Sequence, residues 1–230
     1  MIFEPFYLPN EPFSQPATVF AVFRAADGEC CVSYAQALEH VAENFAAQFS
    51  DASCLGQSAV EFAEKSALEY FEDISLTLSD DSGRIIADRC YAPDLNRYAV
   101  LCACKPVLLC GNEQFSCDLL DIKAGVNAGH AAYGIIEVGE VVCAAYTLLP
   151  VAEEDECEIG VETVSAYAGK GFASGCVSAL AKYLTSLNKT VLYSHYSDHK
   201  ASAAIADKCG FVKISEGFEV IIEKREDNAF

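Results

Sequence analysis

Residues with the means to hold an anion and move a proton crowd one short segment. It runs Glu158-Ile159-Gly160-Val161-Glu162-Thr163-Val164, then Ser165-Ala166-Tyr167-Ala168-Gly169-Lys170-Gly171-Phe172-Ala173. The first half is β-branched and alternating, so it reads as a strand. The second half has two glycines one residue apart, followed by an alanine-rich helical run. A helix start offers unpaired backbone N–H groups and the positive end of the helix dipole. Glycine lets that backbone approach an anion with no Cβ in the way. Residues 169–173 therefore read as a diphosphate cradle, with Lys170 adding positive charge. Strand alternation puts Glu158 and Glu162 on one face, beside the approach to the cradle. Carboxylates so placed suit general-base chemistry.

The commonest phosphate loops are absent: there is no G-x-x-x-x-G-K-[ST], and no G-x-G-x-x-G with an acidic residue about 20 positions on. What stands as Ala168-Gly169-Lys170-Gly171-Phe172-Ala173 resembles the acetyl-CoA loop of the GNAT superfamily of N-acetyltransferases, [Q/R]-x-x-G-x-[G/A]. The run His199-Lys200-Ala201-Ser202-Ala203-Ala204-Ile205-Ala206-Asp207-Lys208-Cys209-Gly210-Phe211 is similar to the GNAT ending N-x-x-[A/S]-x-x-x-[Y/A]-x-x-x-G-F. Together with Glu158–Thr163, these motifs look most like a bacterial, largely uncharacterised branch of the superfamily. The resemblance covers about residues 130–224. Residues 1–115 carry none of its motifs.

The resemblance implies the following expectations. Main-chain groups of Thr163 and Val164 contact the pantetheine arm and the acetyl carbonyl. Ala168, Gly169, Lys170, Gly171, Phe172 and Ala173 hold the diphosphate, and Ser202 touches the cofactor or caps its helix. Glu162 is the first choice for general base, with Glu158 orienting the amine or sharing the role, and His199 a third catalytic candidate. Three positions depart from the family pattern: Ala168 replaces Gln or Arg, His199 replaces Asn, and Ala206 replaces the tyrosine that many members use to protonate the leaving thiolate. Tyr193, Tyr196 and His195 are the substitutes at hand, and the sequence does not choose between them. The expected activity is transfer of acetyl from acetyl-CoA to a primary amine, of a small molecule or a lysine side chain. The rival is a non-catalytic acyl-CoA-binding or regulatory module. A third reading, in which the glycine turn merely starts a helix, predicts no CoA binding.

Bulk properties fit this frame. The 230 residues are 52% apolar and 21% charged, enough for a substantial core. A net charge of −19 argues against nucleic-acid or anionic-membrane partners. The exception is residues 166–215, where six lysines outnumber two acids in the segment assigned to CoA phosphates. The N-terminus has no basic leader and no window approaches ~20 apolar residues, so a cytoplasmic protein is expected. A homodimer is compatible with the reading. The twelve cysteines read as reduced, buried thiols. Cys102, Cys104, Cys110 and Cys117 lack the paired C-x2-C knuckles of a zinc site, and no metal is expected.

Positioning these residues calls for an α/β (α+β) fold, a GNAT-like mixed central sheet flanked by helices with an N-terminal α/β extension. The expected division is 1–115 and 116–230. In the first part, Thr18–Phe23 reads as a strand, and capping boxes at Ser33 and Ser58 are expected to open helices to about Phe49 and Asp73. Hairpins are expected around Asp80–Gly83 and Val138–Gly139. Tyr98–Leu109 and Phe115–Ile122 read as strands. In the second part a strand at 157–164 precedes the glycine loop and its helix. Thr190–Tyr196 is a strand, 199–209 a helix and Phe211–Ile222 a closing hairpin.

Overall fold

The computed structural model describes residues 1–6, 16–71, 76–79, 82–91, 105–151 and 155–224. Packing divides the chain at 87/88 and again at 213/214, rather than at 115/116, so the last strand joins the N-terminal unit.

The first unit opens with β1 (Ile2–Phe6), β2 (Ala17–Ala25) and β3 (Cys30–Ala35). Strands β2 and β3 form an antiparallel pair, and β1 adds in parallel to the far edge of β3. Two helices follow, α1 (Glu39–Gln48) and α2 (Gln57–Tyr70). Neither expected capping box is used. Ser33 lies in β3, and α2 starts at Gly56, one residue before Gln57, with no side-chain cap. Apolar spacing fixed these helices instead: Val41, Ala42 and Phe45 of α1, and Ala59, Val60, Ala63 and Ala67 of α2, are buried with Val19, Phe20 and Val22 of β2. Phe45 is the hub, with ring centroids 5.5 Å from Phe20 and 4.9 Å from Phe49.

β4 (Leu76–Leu78) and β5 (Ile85–Tyr91) come next, and β5 carries the chain into the second unit. Among the described residues the expected hairpin between them is not formed: β4 pairs with the last strand, β12 (Val212–Lys224), and Gly83 N–H donates to Glu219 C=O of that strand. β12 is one 13-residue strand, not a hairpin, and runs antiparallel to β2. Its buried Gly217 lies against Val22 C=O and Phe23, where a Cβ would collide with backbone. That close approach explains a glycine inside a central strand.

The second unit contains β6 (Val107–Leu108), β7 (Gln114–Phe115), α3 (Leu120–Asn127), β8 (Ala132–Glu137), β9 (Glu140–Thr147) and β10 (Glu156–Thr163). It continues with α4 (Phe172–Ser186), β11 (Thr190–Tyr196) and α5 (Lys200–Lys208). Its sheet order is β11-β10-β9-β8-β6, with β7 also pairing with β9. The β8–β9 hairpin turns through Val138 and Gly139, both at positive φ (52° and 84°), as a two-residue primed turn requires. The expected strand at 115–122 is largely helical. Phe115, Leu119 and Ile122 are buried at i, i+4 and i+7, a helical spacing beneath an apolar run that looks extended. The expected strand at 98–109 lies mostly outside the described residues, apart from β6.

One face of this sheet is covered by α4. Ile159, Cys143 and Ile135 pack there against Cys176, Val177, Leu180 and Leu184 of the helix. The α3 segment packs on the other, through Leu119 and Ile122 against Val141 and Ala144. Among the described residues, no helix is long and apolar enough to cross a membrane.

Candidate active site

The site grows from the parting of β10 and β11. These parallel strands are paired only from Glu156↔Thr190 to Glu158↔Leu192. β10 continues to Thr163, and along that stretch it stays paired with β9, from Ile159↔Thr147 to Thr163↔Cys143. The direction of its backbone groups follows from two bonds to the β9 side: Leu148 N–H to Glu158 C=O, 2.9 Å, and Val164 N–H to Val142 C=O, 2.9 Å. Even-numbered residues thus spend their main chain on β9. By alternation the N–H and C=O of Val161 and Thr163 point to the edge that β11 has left. The Thr163 main chain thus faces an open edge. Val164 does not, because its N–H is bound to Val142 and its C=O accepts Tyr167 N–H at 2.8 Å. Val161 shares the edge-facing direction of Thr163, a consequence of strand parity.

Past Val164 a single 3-10 turn (Ser165–Tyr167) leads to Ala168, whose N–H is bound to Ser165 C=O. Gly169 and Gly171 then both take the left-handed conformation, at φ 76° and 80°. Two such turns of the backbone one residue apart make a concave run of peptide groups, a shape suited to anions. A Cβ at Gly169 would meet nothing within 4 Å, so only backbone strain excludes it. Gly171 is the N-terminal boundary residue of α4 and has no side chain with which to cap it. No acidic residue stands in the first turn. The first N–H groups, those of Phe172 and Ala173 among them, thus lack the side-chain cap that helix starts usually receive. Lys170 is exposed, with Nζ 4.3 Å from the centre of the Tyr167 ring, which itself stacks on Phe172. Tyr167 thereby holds the lysine beside the loop.

The opposite face of β10 carries the carboxylates. Glu162 is exposed and its Oε1 accepts the Tyr146 hydroxyl at 3.0 Å. The pair depends on Gly160, directly across from Tyr146 in the ladder. A Cβ there would lie 2.9 Å from the Tyr146 ring, so the ring occupies the space that any other residue would fill. Burial, and then the charge of Glu162, push the Tyr146 phenol up to about 12. It is a proton donor to Glu162 throughout the neutral range. Glu158 is half-buried, four residues before Glu162, hence ~13 Å from it along the strand. The tyrosine ring over Gly160 lies between the two, and they do not form a carboxylate pair. Tyr146 went unnoticed in the sequence because its partner is set by register.

The remaining candidates lie around α5. His199 is exposed, immediately before the helix, and its side chain makes no capping bond. Ser202 Oγ is 2.7 Å from the Tyr193 hydroxyl, which is itself buried in β11. This bond ties α5 to the sheet. Ala206, where the family pattern carries tyrosine, is buried in the core under α4. His195 is buried with Nδ1 3.1 Å from Tyr196 C=O. Of the sequence-picked groups, the backbone of 163 and of 168–173 lies on one connection, from the end of β10 through the 3-10 turn to α4. Glu162 is attached to it through β10, and His199 and Ser202 belong to the next strand–helix connection. No group of three or more His, Cys, Asp or Glu able to hold a metal occurs among the described residues. Cys110 and Cys117 are exposed, and Cys102 and Cys104 lie outside the described residues.

Residues 115–212 match the model of the Acetyltransferase (GNAT) domain. In fold, the chain is similar to a GNAT-family acetyltransferase protein from Novosphingobium aromaticivorans, with a TM-score of 0.50 at 14% identity over 66% of this chain and 68% of that one. A GCN5-related N-acetyltransferase-like protein from Streptococcus suis aligns with a TM-score of 0.49 at 17% identity, over 74% and 69%. No curated protein matches the sequence. The segment has the GNAT fold.

Within a GNAT domain, the parted β10–β11 edge and the Gly169–Ala173 turn are where an acyl-CoA would be sought. The matching segment carries both glycines and a helix start. At Ala168 there is only a methyl group, so anion contacts of the loop would come from backbone amides and Lys170. The match to a GNAT domain supports acyl transfer from acetyl-CoA in general.

Proposed function

We propose that the protein is an acetyl-CoA-dependent N-acetyltransferase acting on a primary amine of a small molecule or a lysine side chain. The observation that carries the reading is the conjunction of an uncapped α4 start, two left-handed glycines and a vacated strand edge, all within one connection. In this reading the α4 N–H groups and Lys170 bind the CoA diphosphate. The Thr163 and Val161 main chain pairs with the pantetheine amides as an added strand would. A backbone N–H on this edge also steadies the oxyanion that develops when the amine attacks the thioester carbonyl, a contribution worth ~10²–10³ in rate.

Glu162 is the general base. As a carboxylate it accepts a proton from the incoming ammonium, directly or through water, while the Tyr146 hydroxyl fixes its orientation. Glu158 lies too far along the strand to share that proton and is left with orienting the amine. The acceptor class follows from charge: the face presents Glu162 and Glu158, with Asp121 near Tyr146, and suits a cationic amine.

The test is release of free CoA thiol from acetyl-CoA with and without a panel of primary amines. Amine-dependent release that Glu162→Gln lowers 10²-fold or more supports the proposal. A second reading has one observation in its favour: buried Ala206 and exposed His199 leave no family-type general acid at α5. A non-catalytic acyl-CoA-binding module would bind acetyl-CoA and release no thiol with any amine.

A further inference from the structure

The first unit holds a pair of sulfurs that no part of the proposed chemistry uses. Cys30 begins β3, and Cys54 lies in the turn between α1 and α2. Their Sγ atoms are 3.0 Å apart, and both residues have no exposed surface. Both thiols also point at one carbonyl, that of Asp51, at 3.6 and 3.4 Å. The turn carrying Cys54 is anchored by its own bonds: Ser50 N–H donates to Ser53 Oγ at 2.9 Å, and an Arg24 N–H donates to Asp51 C=O at 3.4 Å. The neighbouring Cys31 faces the other way, with its sulfur 3.8 Å from Ser33 Oγ. In the second unit, the Cys176 thiol hydrogen-bonds the Cys143 thiol and lies 3.8 Å from the Cys143 carbonyl.

We propose that Cys30 and Cys54 are a disulfide site, closed by exchange with a small-molecule disulfide of the glutathione class. The geometry asks for an approach of about 1 Å to reach a bond of ~2.05 Å, between residues 24 apart in the chain. In the exchange, the Cys54 thiolate attacks one sulfur of glutathione disulfide and expels one glutathione thiolate. The Cys30 thiolate then attacks the Cys54 sulfur of the mixed disulfide and expels the second. Two protein thiols are oxidised, one glutathione disulfide is reduced to two glutathione thiols, and each leaving thiolate takes up a proton released by a cysteine. Cys54 is assigned the first attack because it lies in a turn, the segment free to open, whereas Cys30 is held in the β2–β3 ladder. The bond would enclose α1 in a covalent loop and clamp it to the sheet. Because both sulfurs are fully buried, exchange happens while the chain folds or the turn opens. The inference does not rest on the proposed acetyltransferase activity.

The test refolds the full chain in a glutathione/glutathione-disulfide buffer, then alkylates free thiols and digests with trypsin without reduction. One peptide, residues 25–65, contains Cys30, Cys31 and Cys54 and no other cysteine. The proposal expects this peptide to carry one alkyl group and to be lighter by two hydrogens. Further cleavage after Glu39 or Glu43 should leave Cys30 and Cys54 fragments joined, and Cys31→Ser should change nothing. The oxidised protein should melt at least ~4 °C higher than after reduction. Three alkyl groups or glutathione adducts on that peptide would overturn the proposal. So would a joined pair that includes Cys31, or a mass loss that persists in Cys54→Ala.

Discussion

Two helices of the second unit start at the carboxyl ends of neighbouring parallel strands, and they use those starts differently. α4 follows β10 through two left-handed glycines, with no side-chain cap and an open strand edge beside it. α5 follows β11 through His199, and its first turn spends Ser202 on the Tyr193 hydroxyl while Ala206 fills the core. The sequence motifs pointed to both starts with similar force. Both starts lack a side-chain cap; the first adds two left-handed glycines and an open strand edge, while the second sets Ser202 on Tyr193 and Ala206 in the core. The proposed function accordingly places ligand chemistry at the α4 start and on the face of β10 behind it, and gives α5 a packing role.

The largest effect should come from the carboxylate. Glu162→Gln is expected to lower amine-dependent thiol release ~10²–10⁴-fold while leaving the melting temperature within about a degree, since the side chain is exposed. An equal loss in His199→Ala would break the contrast and return α5 to the site. Next, Gly171→Val puts a β-branched residue at φ 80° and should cost ~1–3 kcal/mol in denaturant unfolding. A smaller effect belongs to α5: Ser202→Ala removes one hydrogen bond of a buried tyrosine and should cost ~0.5–1.5 kcal/mol with acetyl-CoA affinity unchanged. A Ser202→Ala variant that keeps its stability and loses affinity would reverse the assignment.

The smallest effect is expected on alkaline titration. Tyr146 is raised from its ordinary value of 10 to about 12, so the folded state holds this proton more tightly than the unfolded one. The stability that this difference supplies is complete below pH 10 and is lost as pH rises through about 12. Tyr146→Phe should flatten the fall in stability across that window, as read by denaturant midpoints at each pH.

The second unit was the more legible region, and the reason is physical. β10, the glycine turn, α4, β11 and α5 each announce themselves over a few adjacent residues, through alternation, 3.6-residue spacing or paired glycines. The first unit is closed by a strand from the far end of the chain. No local signal tells that Phe211–Ile222 continues as one strand beside β2, nor that β4 pairs with it in preference to β5. The same limit applies within the candidate site. Thr163 and Gly169–Ala173 belong to one strand–turn–helix connection that local pattern reveals, whereas the Tyr146–Glu162 contact and the direction of the Val161 and Val164 main chains depend on which strand lies beside β10 and where pairing stops.

The central claim is that the α4 start binds acetyl-CoA, and thermal unfolding of the full chain with and without this ligand tests it most directly. At about 100 times its dissociation constant a ligand adds ~2.7 kcal/mol, or ~5–10 °C for a protein of this size. The account predicts such a rise for the wild type and for His199→Ala, and its loss in Gly171→Val measured against that variant's own baseline. No rise in the wild type, at acetyl-CoA concentrations up to the millimolar range, would contradict the account and leave the glycine turn as a helix start alone.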